Sequence, residues 1–580
     1  MVLVPIKIDG KLPHFEEITL LGEWCENTYT NSILKVNTLP YHWSNKKKFS
    51  EDCIYLFELT DKIMPYLAEA LNNYHHTQYS IKFWKFTCGL WLNNFIAATF
   101  DRWSMAEVAN NSYELKEVLL LDIDKHSIIP NDLNHFSNLS ESSDEWNSYI
   151  YHKLFLRFDG LIIKKIQNFK KYKSLSKILH FKALVKLSTH KILDKLLYFF
   201  SKNNQIIFVD SYFSIKDLWK LELRLKQFPS FFIFNEKIKK TTINIQKRQE
   251  FDLQYSPIND FESFLISLIH EQIPSSYLED YDEIVSKFKS FPVLSSVEVI
   301  YTANAHLYND QFNIWSAHAI DNDVKMIYGQ HGGGTRSLFH DSILNYELST
   351  CNSYITWGVG GRPDRKHVVL PVNKFSNNKK KINKINKGIL LILDCKKRYP
   401  SDLYSNLVQY SKYLSDQKSF ISLIDKKIVS DLKVRPNPNS KKQGWASHFQ
   451  IELDYPNDSN KSFIKSIQKQ RLVVISCNET TLLQSLAMNI PTIAFWDASS
   501  EVLNKESIIF YRKLTDVGVL HKSPESAATF INENWQTIES WWNNKELQIV
   551  RSEFCRNFIY TSSDNDKISQ WTSFFDNLKK

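Results

Sequence analysis

Three short segments carry side chains able to grip an anionic substrate. The first is Gly329-Gln330-His331-Gly332-Gly333-Gly334. The 580-residue chain holds only 14 glycines, so three in a row imply that the backbone approaches something closely. His331 can give a proton or a hydrogen bond to a charged group; the alternative is a tight turn with a capped histidine. The segment is neither a Walker loop nor a G-x-G-x-x-G fingerprint. The second is Ser476-Cys477-Asn478-Glu479-Thr480-Thr481, between an expected strand and a helix expected over Leu482 to Met488. A helix N-terminus offers free N–H groups and the positive end of a dipole, which suits phosphate, and Thr480 and Thr481 add hydroxyls. Plain N-capping by Asn478 or Thr480 would need no ligand. The third is Arg435-Pro436-Asn437-Pro438-Asn439, where Arg435 could hold a phosphate or carboxylate in two-point fashion or be a surface arginine before a turn.

Three carboxylates could act as base or nucleophile. Asp310 stands at a strand-to-helix junction and is equally well placed to cap that helix. Asp210 is a weaker candidate on the same logic. Glu23, in Gly22-Glu23-Trp24-Cys25, follows the first expected strand and could serve an acceptor, or be structural.

These segments need a frame, and the hydrophobic pattern supplies one. Short apolar runs with polar ends recur at Ile18–Gly22, Ile206–Asp210, Val297–Tyr301, Val324–Tyr328 and Tyr354–Gly358, and again at Ile389–Leu393, Leu432–Arg435, Leu472–Ser476 and Thr492–Trp496. Helical stretches separate many of them, which predicts α/β structure with parallel sheets and crossover helices. In such sheets ligands sit at the carboxyl ends of the strands. Helical patterning dominates from about Ile54 to Asn110, and the Trp- and Phe-rich stretch from Tyr79 to Trp103 reads as a buried helix. Residues 160 to 200 read as amphipathic helices. The polar, basic stretch 373–387 is the best linker. The expected organisation is an N-terminal Rossmann-like domain over 1–372 with a helical insertion at about 54–200. A second Rossmann-like domain spans 388–560, and a terminal helix lies within 561–580.

Composition bounds the rest. A chain of 580 residues is too long for one core. A net charge of +9 is mild at this length. The basic runs Lys46-Lys47-Lys48 and Lys379-Lys380-Lys381 are too short for a nucleic-acid footprint. They read as solvated loops, with a basic face for anionic lipid or glycan as the alternative. The cysteines are Cys25, Cys53, Cys88, Cys351, Cys395, Cys477 and Cys555, an odd number without C-x-x-C spacing; this predicts a reduced compartment and no structural zinc. Neither a leader nor an 18-residue apolar run is evident, so a cytoplasmic location is expected, compatible with peripheral contact at the inner membrane.

The landmarks, taken in order, resemble transferases of bacterial surface-carbohydrate loci, distant relatives of the capsule and lipopolysaccharide β-Kdo glycosyltransferases. They comprise Leu21-Gly22-Glu23-Trp24-Cys25, Phe83-Trp84 through Gly89-Leu90-Trp91-Leu92 to Asp101-Arg102-Trp103, and Ile273-Pro274 with Tyr277-Leu278-Glu279. Phe312, Trp315, the QHGGG at 330–334, Glu347 and Tyr354 to Gly358 follow. Val434-Arg435, Gly444-Trp445, Asn478 to Thr481, Leu486-Ala487, Asn489 to Trp496, Trp541-Trp542 and Phe554-Cys555 complete the set. The chain departs from the family pattern in having Glu479-Thr480 where Ser-Thr is usual and Gln484 where Glu is usual.

The resemblance implies a GT-B architecture of two Rossmann-type domains facing a cleft. It implies a CMP-activated ulosonic acid such as Kdo or a sialic-acid-like sugar as donor, and a surface-polysaccharide or lipopolysaccharide acceptor. Arg435, Asn478, Glu479, Thr480, Thr481 and Gln484 would bind the nucleotide. Gln330, His331, Gly332 and Gly333 would face the sugar or its phosphate. Asp310 would be the nucleophile of a retaining double displacement, with Glu23 on the acceptor side. No cofactor, metal or nucleic-acid partner is expected. The alternatives are a CDP-polyol phosphotransferase of similar fold and a non-catalytic polysaccharide-assembly protein. The expected arrangement sets the His331 turn and the Thr480-Thr481 turn opposite each other across the cleft.

Overall fold

The computed structural model describes residues 2–8, 15–25, 35–112, 114–166, 197–230, 232–374, 388–401, 403–438, 455–456, 458 and 462–579. The Lys379–Lys381 run, Gly444-Trp445, Asn439, nearly all of the expected linker and most of the expected helices at 160–200 lie outside the described residues. Two compact units result. Unit 1 comprises 1–210, 227–326 and 399–402, and unit 2 comprises 211–226, 327–398 and 403–580.

Unit 1 holds a five-stranded parallel sheet of order β3-β2-β1-β4-β5. Its strands are β1 (Val2–Val4), β2 (Glu17–Leu20), β3 (Lys35–Thr38), β4 (Glu117–Leu121) and β5 (Ile162–Ile166). Two more parallel strands, β6 (Ile206–Val209) and β7 (Val299–Thr302), pair with each other. The long crossover from β3 to β4 consists of α1 (Lys46–His75) and α2 (Ile81–Ser112), with α3 (Leu133–Ser142) and α4 (Asp144–Phe155) before β5. α2 is buried on every face, including Trp84, Trp91 and Phe95, as its unbroken apolar content predicts. Helices α1 to α4 lie between Lys46 and Phe155, whereas Ile162–Ile166, in the stretch expected to form amphipathic helices, is a strand. What the pattern did not disclose is that these helices are threaded through a sheet of their own. β1, β3, β4 and β5 are only three to five residues long, and the β3 and β5 side chains are largely exposed, so neither shows the apolar run that marks a buried strand.

Unit 2 pairs β8 (Lys325–Gly329), β9 (Ser353–Thr356) and β10 (His367–Val369) in parallel. Its second sheet has order β12-β11-β13-β14-β15, from β11 (Ile389–Ile392), β12 (Leu432–Arg435), β13 (Leu472–Ile475), β14 (Thr492–Phe495) and β15 (Leu520–His521). Alternate residues feed opposite cores. Leu390, Ile392, Val473 and Ile475 pack on one face, whereas Ile389, Leu391, Leu472 and Val474 pack on the other. Both faces are buried, which is why these strands read as unbroken apolar runs. The strand order reverses between β11 and β13, the place where a doubly wound sheet opens a ligand crevice. The expected final helix spans Asp564–Leu578. Among the described residues no helix is long and apolar enough to cross a membrane.

Candidate functional site

The carboxyl ends of β12, β11 and β13 lie side by side in unit 2, and each carries polar residues. Arg435 ends β12; Asp394, Cys395 and Lys396 follow β11; Ser476 to Thr480 follow β13 and open helix α7 (Thr480–Ala487), after helix α6 (Ser342–Thr350) earlier in the same unit. Lys396 Nζ pairs with Asp394 Oδ2 at 2.8 Å. The Tyr413 hydroxyl accepts from the Asp394 backbone N–H at 2.7 Å and lies 2.6 Å from the Ser476 hydroxyl, tying the two loops together.

The N-cap of α7 is Glu479, whose side chain makes no cap hydrogen bond; neither Asn478 nor Thr480 takes that position. Asn478 is instead buried. Its amide donates to the Ser337 hydroxyl at 2.9 Å, and its carbonyl accepts from the Tyr511 hydroxyl at 2.8 Å. Burial, then the neighbouring Asp394, pushes the Glu479 carboxyl up to about 7 against the pull of Lys396 and His331. Burial beside Asp394 and Glu479 drives the Cys477 thiol far above its ordinary value, which favours the thiol over the thiolate. Thr481 and Gln484, in the first two turns of α7, are half-buried.

The glycine turn comes to the same place. The Gly333 N–H donates to Thr480 Oγ1 at 3.1 Å. A Cβ on Gly333 would sit 2.7 Å from the Glu479 and Thr480 backbone, and one on Gly334 would overlap the Asn478 carbonyl. None of Gly332, Gly333 and Gly334 has a positive φ, so closeness of approach, not conformation, is what demands glycine here. The two turns thus meet in direct contact inside one compact unit instead of standing opposite each other as separate walls, because the missing Cβ atoms let the backbones close. Gln330 braces this turn: its amide donates to Gly332 O at 2.8 Å and its carbonyl accepts from Trp357 N at 3.0 Å.

His331 Nδ1 lies 3.5 Å from Oε1 of Glu347, a fully buried residue of α6. Burial opposes the imidazolium, but Glu347 and then Asp341 outweigh it and hold the pKa above the ordinary histidine value. Asp341 caps α6 through the Leu344 N–H at 2.9 Å. Its own pKa is pushed up to about 7, chiefly by burial. Arg435 donates to Asp458 O at 2.8 Å and Ser466 Oγ at 3.1 Å. Sequence reasoning missed Asp394 and Lys396, although the polar end of the run Ile389–Leu393, the first strand of the second sheet, was the available signal.

Asp310 and Glu23 belong to unit 1. Asp310 opens helix α5 (Asp310–Ile320, before α6 in the chain), but the cap is Asn309, whose side chain accepts from Phe312 N. Asp310 Oδ2 accepts from Leu133 N at 3.1 Å and Ser276 Oγ at 2.5 Å, and Oδ1 accepts from Tyr277 Oη at 2.9 Å. Burial, and Asp132 nearby, push its pKa up to about 7. It lines a cavity of about 320 Å³ with Asp132, Asp280 and Lys240. Glu23 begins a 3-10 turn after β2, beside the buried Trp24, whose indole donates to Pro5 O at 3.0 Å. Asp210, exposed at the end of β6, accepts from the Tyr308 hydroxyl.

Parallel sheets with crossover helices, and charged groups gathered at a strand-order reversal, define an α/β protein of the doubly wound kind. More particularly, the chain belongs to the LIC12162 transferase family, which it matches over residues 1–575. Among curated proteins none matches it. Among solved structures it is similar to the glycosyltransferase SnogD from Streptomyces nogalater at 9% identity, over 57% of this chain and 85% of that one, with a TM-score of 0.30. It is also similar to WaaG, a glycosyltransferase involved in lipopolysaccharide biosynthesis, at 9% identity over 51% and 95% of the two chains, with a TM-score of 0.27.

Proposed function

We propose that this transferase is a glycosyltransferase of the GT-B type that draws its sugar from a cytidine-nucleotide donor, a CMP-activated ulosonic acid. The acceptor is a surface glycan or glycolipid, met at the inner face of the membrane. The observation that carries the reading is the unresolved charge at the carboxyl ends of β11 and β13, where Lys396, His331 and the N-terminus of α7 surround a carboxyl held near neutrality. Such a constellation accepts a phosphate: the helix N-terminus and Lys396 neutralise the leaving group, and Glu479, once protonated, donates a hydrogen bond instead of repelling it. Thr480 supplies a hydroxyl, and Arg435 is a second cation on the same edge of the sheet. His331, whose pKa Glu347 and Asp341 raise against burial, suits the ulosonic carboxylate. Asp310 is the catalytic carboxylate of unit 1; its raised pKa suits it to proton transfer at neutral pH, and three accepted hydrogen bonds leave it poorly disposed to attack as a nucleophile.

The test is donor turnover with CMP-Kdo, a CMP-sialic acid and CDP-glycerol, alongside calorimetric titration with CMP. CMP release from a CMP-sugar is expected, with Lys396→Ala weakening CMP binding at least tenfold. Asp310→Asn is expected to abolish transfer while sparing CMP binding. Turnover of CDP-glycerol alone would make the protein a polyol-phosphate transferase, and absence of any nucleotide binding would leave a non-catalytic assembly role.

A further inference from the structure

A cavity of about 770 Å³ lies elsewhere in unit 2, beside the edge strand β15. Its volume falls within the range of small-ligand sites. Its aromatic wall is built from three rings. Phe530, on helix α8 (Pro524–Asn534), has its ring centroid 5.2 Å from His521 and 5.1 Å from Trp541. Each ring is locked by its surroundings. The Trp541 indole donates to Val517 O at 3.0 Å, and the two His521 ring nitrogens lie 3.0 Å from Ser526 Oγ and 3.1 Å from Gly518 O. Gly518, at φ +76°, makes the turn that opens the space; a Cβ there would meet the Phe530 ring at 2.8 Å. Around the rings stand Asp516, Lys522 and Glu546, all exposed, and none forms an ion pair among the described residues. They offer two acceptors and one donor group that no protein partner has claimed.

Fixed aromatic rings next to mixed donors and acceptors of almost balanced charge match a sugar ring, which is apolar on its C–H faces and both donor and acceptor at its hydroxyls. A nucleotide or anionic lipid would require a cationic excess that Asp516 and Glu546 deny it. We infer that this groove is a carbohydrate-binding subsite for an uncharged oligosaccharide, separate from the carboxyl ends of β11 and β13. The inference rests on the glycosyltransferase reading for its biological sense: a subsite that holds acceptor glycan on the transferase raises the local acceptor concentration without touching the chemistry. The rigid rings reduce the ordering cost of binding.

The experiment is ligand-observed NMR and tryptophan-fluorescence titration of the full chain with maltotetraose, cellotetraose and chitotetraose, with CMP titrated in parallel. At least one tetrasaccharide should bind with a millimolar or tighter Kd. Trp541→Ala should weaken it at least tenfold. The rim double substitution Asp516→Ala with Glu546→Ala, which leaves the ring wall intact, should weaken it at least threefold, with CMP affinity unchanged in both. If Trp541→Ala fails to fold, the rim variant decides. Absence of binding by all three sugars, or binding indifferent to the rim variant, overturns the subsite. Loss of CMP binding in the unmodified chain overturns the donor-site reading and leaves this result standing.

Discussion

Asp101, fully buried, and Glu479, half-buried, are carboxylates in the same kind of company, one in each unit, and they behave in opposite ways. Each lies near a histidine and a basic side chain: His42 and Arg102 for Asp101, His331 and Lys396 for Glu479. Asp101 has every oxygen occupied. Oδ1 accepts from Tyr41 Oη at 2.6 Å and lies 3.1 Å from His42 Nε2, and Oδ2 accepts from Arg102 at 2.8 Å. Arg102 also donates to Asn147 Oδ1, Ser140 O and Pro400 O. Burial alone would raise Asp101, but these partners hold it below the ordinary carboxylate value. Around Glu479 the basic group is already committed to a second acid, Asp394, and no side chain among the described residues donates to it. A buried acid whose partners are its own is framework. A half-buried acid that must share its basic neighbour with a second acid keeps binding capacity to spare.

The largest test of this contrast is Asp101→Ala. It leaves the Arg102 guanidinium buried without its anion, and a loss of about 3–5 kcal/mol is expected from one-sided removal of a buried pair. Urea unfolding followed by circular dichroism measures it; unaltered stability would show that the Asp101 network is not the closed structure described here. Next in size is Gly334→Ala. The added methyl has no room beside the Asn478 carbonyl, and overpacking of this kind costs about 1–3 kcal/mol. Hydrogen exchange should accelerate in peptides covering 330–337 and 476–487 and remain unchanged in α2.

Glu479→Gln has a smaller effect, with a sign that depends on pH. The folded-state pKa of Glu479 lies above the ordinary glutamate value, so the folded protein binds the proton more tightly than the unfolded chain does between pH 4.5 and about 7. Glu479 therefore contributes stability that is full below pH 4.5 and is lost as pH rises through about 7. The Gln variant should match the unmodified protein at pH 5 and exceed it at pH 8. The expected gain is about 1 kcal/mol, less than the bare shift implies because Glu479 keeps some contact with solvent. Asp101 carries the opposite sign: its depressed pKa contributes stability above the ordinary aspartate value that disappears in acid. Thermal melts of both variants across pH 3–8 separate the two, and a Glu479→Gln difference that did not grow with pH would refute the poised-acid reading.

The sequence revealed the sheets of unit 2 far better than the first sheet of unit 1. Runs such as Ile389–Leu393 and Leu472–Ile475 are apolar at every position because both sheet faces are covered. Lys35–Thr38 and Ile162–Ile166 alternate too weakly, and are too short, to stand out from the helical pattern around them. The site was legible to a similar degree. Scarce glycine flagged the 332–334 turn, and the strand-to-helix rule flagged 478–481. That the first is glycine because it packs on the second is a long-range steric fact that no local pattern carries. Asp394 and Lys396 escaped notice because an Asp and a Lys after a strand are ordinary surface residues until the strand order makes theirs the central loop.

The smallest expected effect is also the most specific to the open cluster. Tyr511 reaches from the helix Lys505–Asp516 to accommodate Asn478, its hydroxyl donating to the Asn478 carbonyl at 2.8 Å, while the Asn478 amide holds the Ser337 hydroxyl that follows the glycine turn. Tyr511→Phe removes the hydroxyl's hydrogen bond to Asn478 and its longer contact with Ser337 Oγ at 3.4 Å while keeping the ring, so a loss of about 0.5–1.5 kcal/mol is expected. The ring also packs against Trp496 and Phe554 at centroid distances of 5.3 and 5.1 Å, and these contacts survive the substitution. If the Glu479 turn is held ready by this relay, Tyr511→Phe should raise the Kd for CMP several-fold, well beyond its effect on stability alone, because a loosened turn must be ordered again on binding. A stability loss with unchanged CMP affinity would mean that the relay supports the fold of unit 2 and not its site, and the distinction between the closed acid and the poised one would then rest on Glu479 alone.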